Sequence, residues 1–231
     1  MAEKPRRDDR KDKRNFPEMS GNIYNVSPEI VEVVLGYKSN EIITGSNVGL
    51  FGFFLDRKNR TPSNQYFLYF GNRIITDKDC RTISTLCELQ KFDANKILSK
   101  GVKKEDLMRL PIDTRYIPPE IDRVVVVTVA TQQYKDDPTN FKILEGVTAE
   151  VRIGDEDSMR LYNTDDDDDD TEKRPIDKDK ILASYKFSTD AMYATAIVTV
   201  LLRRYNKDDS WLISYPGHEL EGDLESICKR Y

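Results

Sequence analysis

Imidazole and thiol chemistry have little to work with in this chain. Among 231 residues there is one histidine, His218, and there are three cysteines, Cys80, Cys87 and Cys228. A single histidine removes most His-centred acid–base and metal arrangements. The cysteines are odd in number and lack Cys-x-x-Cys spacing, so neither a zinc site nor a disulfide framework is indicated, and reduced thiols in a cytoplasm are expected. Also missing are the G-x-S-x-G and Cys-His signatures of nucleophilic catalysis and the glycine-rich loops that cradle phosphates. Paired carboxylates alone leave no sequence signature, because the fold sets such pairs; with that exception the chain reads as no enzyme. Positive charge is short too: 36 Lys and Arg against 41 Asp and Glu leave a net charge of −5, the wrong balance for neutralising a phosphate backbone, so no nucleic-acid partner is expected. No apolar run approaches the roughly 18 residues of a membrane span, and the basic N-terminus leads into no signal-peptide core. The expectation is a cytoplasmic protein with no membrane span.

What is abundant is charge in two places. Residues 1–18, beginning MAEKPRRDDRKDKRN, mix both signs without apolar periodicity and read as a disordered arm. Between Asp155 and Asp179 twelve acids face four bases, a local net charge of −8, and six consecutive aspartates run from Asp165 to Asp170. Consecutive carboxylates repel one another and extend the chain in water. An EF-hand loop needs acids at alternating positions, a glycine for its sharp turn and a bidentate acid at its end. No register of this run supplies the glycine, so a solvated loop is the better reading, with weak cation attraction or docking to a basic partner as the alternative.

The remaining residues, about 19–231, read as one domain with insertions at about 77–109 and 155–180. Its apolar signal has strand character: VEVVLGY (31–37), VGLFGFFLD (48–56), QYFLYFG (65–71), RVVVVTVA (123–130), GVTAEVRI (146–153), ILASYKF (181–187), ATAIVTVLLRRY (194–205) and SWLISYP (210–216) are rich in β-branched and aromatic residues and separated by turn formers. No helix alternates regularly with them. The expected fold is therefore all-β, a two-layer antiparallel β-sandwich. Leu220, Leu224, Ile227 and Tyr231 recur at spacings of three and four, which predicts a C-terminal helix. Mixed spacing in 77–109 suggests a minor helical insertion of one or two turns. No internal repeat stands out.

The stretches IDRVVVVTVA (121–130) and ILASYKFSTDAMYATAIVTVLLRRYNKDDSWLISYPGHELEGDL (181–224) resemble the TerD family of bacterial stress and tellurium-resistance proteins. The matching features are Pro119 and Asp122, Tyr185-Lys186-Phe187-Ser188, Thr195-Ala196, Arg203, Trp211, Gly217 and Gly222-Asp223-Leu224. SGNIYNVSPEIVEVVLGYKSN (20–40) is similar to the family's opening strands, and TGSNVGLFGFFLD (44–56) takes the place of its Asp-Leu-Asp strand. The resemblance covers most of the chain from about Ser20. It implies a β-sandwich with a small helical element, and calcium as the usual ligand.

The resemblance also implies where the ion would sit, and there the chain departs from the pattern. The two strand aspartates align with Asn47 and Gly49, one a neutral donor and the other without a side chain. In place of the family's Gly/Asp-rich loop stand Asp77, Asp79 and the pair Glu105-Asp106, with Lys78, Lys103 and Lys104 among them. Calcium wants six to eight oxygens, several of them carboxylate, and neighbouring ammonium groups repel it. The candidate metal set is thus Asn47, Asp77, Asp79, Glu105 and Asp106, with calcium weak or lost and no other cofactor implied. Three roles follow: a non-enzymatic interaction module of a stress or tellurium-resistance system, with protein partners and a possible oligomer; a calcium-binding stress-response protein with a weak site; or a structural assembly protein of a phage or mobile element. His218 reads as a turn residue, and Arg203 and Arg204 as half of a salt bridge or part of a partner surface.

Overall fold

A computed structural model describes residues 24–26, 29–37, 46–88, 105–132, 147–160, 181–186, 195–205, 210–220 and 224–231. The arm at 1–18 and the run Asp165–Asp170 lie outside the described residues. Two seven-stranded antiparallel sheets face each other. Sheet A contains β1 (Tyr24–Val26), β3 (Ser46–Leu55), β4 (Phe67–Leu68), β9 (Arg123–Gln132), β12 (Ala196–Tyr205), β13 (Ser210–Ser214) and β14 (His218–Leu220). Its order is β1-β13-β12-β9-β3-β4, with β14 also paired to β12. Sheet B contains β2 (Ile30–Tyr37), β5 (Ile74–Thr76), β6 (Thr82–Thr85), β7 (Cys87–Glu88), β8 (Glu105–Asp113), β10 (Val147–Ile153) and β11 (Ile181–Lys186). Its order is β11-β10-β2-β8-β6-β5, with β7 also on β8. The sandwich expected from the strand alternation is the fold observed.

Period-two alternation decides which residues meet between the sheets. Val31, Val33 and Leu35 of β2, Leu110 and Ile112 of β8, and Val151 of β10 point inward from sheet B. They pack on Leu50 and Phe54 of β3, Val124 and Val126 of β9, Val200 and Leu202 of β12, and Trp211 and Ile213 of β13. Trp211 is fully buried at this interface. Sheet A has a second apolar layer on its other side: Phe51, Phe53, Val125, Val127, Val198 and Leu201 cluster with Leu220, Ile227 and Tyr231. The near-continuous runs FGFFL and RVVVVTV follow from this, because central strands covered on both faces lose the apolar–polar alternation.

Three local expectations need correction. The C-terminal helix α1 is only Leu224–Cys228, and Leu220 lies on β14 instead. Its spacing with Ile227 and Tyr231 marks shared burial, since all three enter the same cluster, rather than one element. His218 is not a turn residue but opens β14, opposite Val198; the turn's left-handed position is Gly217, φ 56°. QYFLYFG is not one strand: Asn64–Tyr66 form a 3-10 turn, β4 lasts two residues, and the chain reverses where Tyr69 and Asn72 exchange backbone hydrogen bonds. In the insertion at 77–109 the described residues are a turn and strands, with no helix.

Candidate functional site

Asp77 opens a five-residue loop that closes on itself. Its backbone N–H donates to the Arg81 carbonyl at 2.9 Å and its carbonyl accepts from Cys80 N–H at 3.1 Å. One carboxylate oxygen accepts from the N–H groups of Asp79 at 2.9 Å and Arg81 at 2.8 Å. The other accepts Arg81 Nε at 2.7 Å and pairs with its Nη2 at 2.6 Å. Asp79 takes the same Nη2 at 3.0 Å. Burial alone would push the Asp77 carboxyl up, but the hydrogen bonds from the Arg81 backbone and side chain and the Asp79 backbone, with the charge of Arg81, outweigh it and hold the group below its ordinary value. The guanidinium of Arg81 therefore stands where a cation bound by these two acids would stand.

The network continues to the end of β8 and the 3-10 turn Thr114–Tyr116 that follows it. Arg81 lies over the ring of Tyr116 at 4.7 Å and Arg115 at 5.3 Å, within cation–π range. Arg115 donates to both oxygens of Asp113, at 2.8 Å and 2.6 Å, and to Glu156 at 2.6 Å. The bonds to Asp113 and Glu156 raise the Arg115 pKa against the opposing effect of burial. Asp155 caps the 3-10 turn Glu156–Met159 in a capping box with Ser158. Four carboxylates at this end of sheet B, those of Asp77, Asp79, Asp113 and Glu156, are thus each engaged by an arginine.

The other sequence-derived candidates lie elsewhere. Asn47 is on β3 of sheet A, opposite Thr131. Glu105 and Asp106 are on β8 of sheet B, opposite Tyr37 and Gly36. The Asp77 loop precedes β6, which meets β8 at Ile112; six residues at about 3.3 Å each place Asp106 about 20 Å along the strand from that point. The structure brings Asp77 and Asp79 together and does not join Glu105 and Asp106 to them. Among the described residues no three His, Cys, Asp or Glu side chains gather in a metal-holding group.

Two arrangements escaped the sequence reading. Asp56 forms a loop bonded like that of Asp77: its N–H donates to the Arg60 carbonyl, its carbonyl accepts from Asn59 N–H, and one carboxylate oxygen takes the N–H groups of Lys58 and Arg60. Asn59 and Cys80, the fourth residues of the two loops, both have positive φ, 60° and 62°. The shared signal is Asp-x-x-x-Arg after a strand. The second arrangement is a buried charge cluster on the outer face of sheet B. Glu32, Glu150 and Arg152 are 5–7% exposed, Arg152 bonds Glu150 at 2.7 Å, and Arg109 approaches Glu32 at 3.8 Å.

The two arginines near the end of the Val-rich strand β12 divide their work. Arg203 is exposed. Arg204 stacks on the Trp211 ring at 4.6 Å and donates to the carbonyls of Ile117, Pro118 and Ile121. It pins the Pro-containing turn before β9 to β12.

No protein-family profile matches the sequence, and no curated protein matches it in sequence. In structure it is similar to a homologue of the telluride resistance protein TerD from Streptomyces coelicolor A3(2), with a TM-score of 0.58 at 13% identity over 87% of this chain and 96% of that one. It is also similar to SAV2460, a protein of unknown function, with a TM-score of 0.56 at 14% identity over 88% of this chain and 96% of the other. The chain has a diverged TerD-like fold.

Proposed function

We propose that this protein is a non-enzymatic binding module of a stress or tellurium-resistance type system, in which internal ion pairs have replaced calcium at the acidic loop. The observation that carries the reading is Arg81, whose guanidinium engages both Asp77 and Asp79. A divalent ion would have to displace a guanidinium bonded to both acids and would gain only two carboxylates, against the six to eight oxygens it requires. The tellurium-resistance part of the reading comes from the structural similarity to the Streptomyces homologue of a telluride resistance protein and from the resemblance in sequence. The cytoplasmic placement rests on the three cysteines, odd in number and without Cys-x-x-Cys spacing, which are expected to be reduced thiols.

Calcium titration tests it. Melting temperature is expected to stay constant as calcium rises from micromolar to millimolar, and calorimetry is expected to show no saturable heat. A ligand that selects the native state raises its melting temperature by mass action, so saturable micromolar binding with a matching thermal shift would restore the calcium-binding reading and overturn this one.

A further inference from the structure

The Asp56 loop differs from its counterpart in one respect that matters. Arg81 folds back onto its own loop's acids, whereas Arg57, Lys58 and Arg60 are exposed at the end of β3. Leu55, Arg123 and Arg203 are successive Cα partners across β3, β9 and β12, and the odd-numbered neighbours Phe53 and Val125 place that row on the outer face of sheet A. Arg230 joins them, because the Tyr231 carbonyl accepts the Thr61 N–H at 2.8 Å. The acids here are few. Asp56 is committed to the loop N–H groups, and Asp122 is shared by Arg123 at 3.2 Å and Arg57 at 3.9 Å. Among the described residues of this corner the balance is positive. A chain with a net charge of −5 thus carries a basic corner.

We propose that this corner is the docking surface for the Asp165–Asp170 run of a second copy of the chain. Charge complementarity selects the occupant, since the run is the densest block of negative charge in the sequence. The residues flanking the run select the second copy. On one side the Arg160 carbonyl accepts Cys87 Sγ at 3.2 Å beside β7, and on the other Ile181 begins β11. Both belong to sheet B, while the corner lies on the outer face of sheet A. Donor and acceptor surfaces on opposite layers make a heterologous contact that propagates head to tail rather than closing as a two-fold dimer. The proposal rests on the interaction-module reading and not on the fate of the calcium site: calcium binding would undo the latter alone.

Sedimentation velocity on the full chain tests it, with two variants: Asp165–Asp170 all changed to Asn, and Arg57→Ser/Lys58→Ser/Arg60→Ser. At low ionic strength the sedimentation coefficient of the wild type should rise with concentration, and at about 0.5 M salt it should return to the monomer value, as the screening length shrinks to a few ångströms. Each variant alone should stay monomeric with an unchanged melting temperature. An equimolar mixture of the two should form a dimer that grows no further, because only one complementary pair of surfaces remains. A wild type that is monomeric throughout, or association that survives in either variant, would overturn the proposal. So would zero-length cross-links joining Lys58 to the run only within single copies in a mixture of 15N-labelled and unlabelled protein. Association that appears only on adding an oligonucleotide would overturn it in favour of a nucleic-acid ligand.

Discussion

On the outer face of sheet A, Phe53, Val127 and Leu201 are buried under Leu220, Ile227 and Tyr231. On the outer face of sheet B, the equivalent alternating positions hold Glu32, Arg109, Glu150 and Arg152, three of them as buried as a core residue. Both faces are shielded from water at these positions, and the chemistry shielded is opposite. Apolar burial is non-directional and scales with area, so many side chains of suitable size could close sheet A. A buried charge tolerates only a partner of opposite sign in hydrogen-bonding geometry. The rows across sheet B show how that is met. Val34 sits between Arg109 and Glu150, and Glu32 sits between Pro111 and Arg152, so Arg152 lies directly across from Glu32 and two residues from Glu150, and Arg109 lies diagonally from Glu32. Sheet A is held by volume, sheet B by pairing.

The difference predicts how each face breaks. Phe53 stacks on Phe67 at 4.6 Å and tilts against Tyr231 at 4.7 Å, and Phe53→Ala should cost about 3–5 kcal/mol in denaturant unfolding. Arg152→Ala should cost a similar ~3–5 kcal/mol, for a different reason: it leaves Glu150 buried without its guanidinium. The paired replacement separates the two. Arg152→Met with Glu150→Leu should be neutral or more stable by about 1–4 kcal/mol. A double variant as damaged as Arg152→Ala would show that sheet B, too, is held by shape.

A smaller effect should appear in alkali, on the sheet A side. Burial pushes the Tyr231 phenol up from 10.0 to about 12, opposed weakly by Arg230. Its neutral form is the one the fold favours, so its contribution is complete below pH 10 and is lost as pH rises toward 12. Tyr231→Phe should flatten that part of the stability–pH curve measured by chemical denaturation, and an unchanged slope would remove the phenol from the account.

The smallest effect compares the two Asp-x-x-x-Arg loops. Asn tolerates the left-handed region better than Cys. Cys80→Gly, on the sheet B side, should therefore stabilise by about 0.5–1 kcal/mol after the entropy of the added glycine is offset, and Asn59→Gly by less. Equal gains at both loops would mean that the residue at positive φ makes no difference.

How much of this could be read in advance follows from the same contrast. VEVVLGY, RVVVVTVA and ATAIVTVLLRRY declare β2, β9 and β12 because both faces of those segments, or most of them, are apolar. The strand β8 hides. Glu105–Asp113 reads EDLMRLPID, and its acids, Arg109 and Pro111 mimic a loop, although every residue but Leu107 has a Cα partner on β2. Buried ion pairs defeat pattern reading because each member alone looks like surface. At the candidate site the sequence located Asp77 and Asp79 but not Arg81. A residue four positions on becomes the counter-ion only when the loop's backbone hydrogen bonds turn its side chain back onto the acids, and Arg60 at the matching position of the other loop meets Asp56 through its backbone N–H.

The pairing of the first strand with β13 bears on how the chain emerges from a ribosome. Strand β1 is zipped to β13, with Tyr24 opposite Ile213, and the oily back of sheet A stays uncovered until Ile227 and Tyr231 arrive. Contacts so far apart in the chain form slowly. A growing polypeptide would therefore display a Phe- and Val-rich ribbon to the cell for most of its synthesis, and a holdase that grips extended apolar segments during translation would find its best footing on Phe51–Leu55 and Val124–Val129.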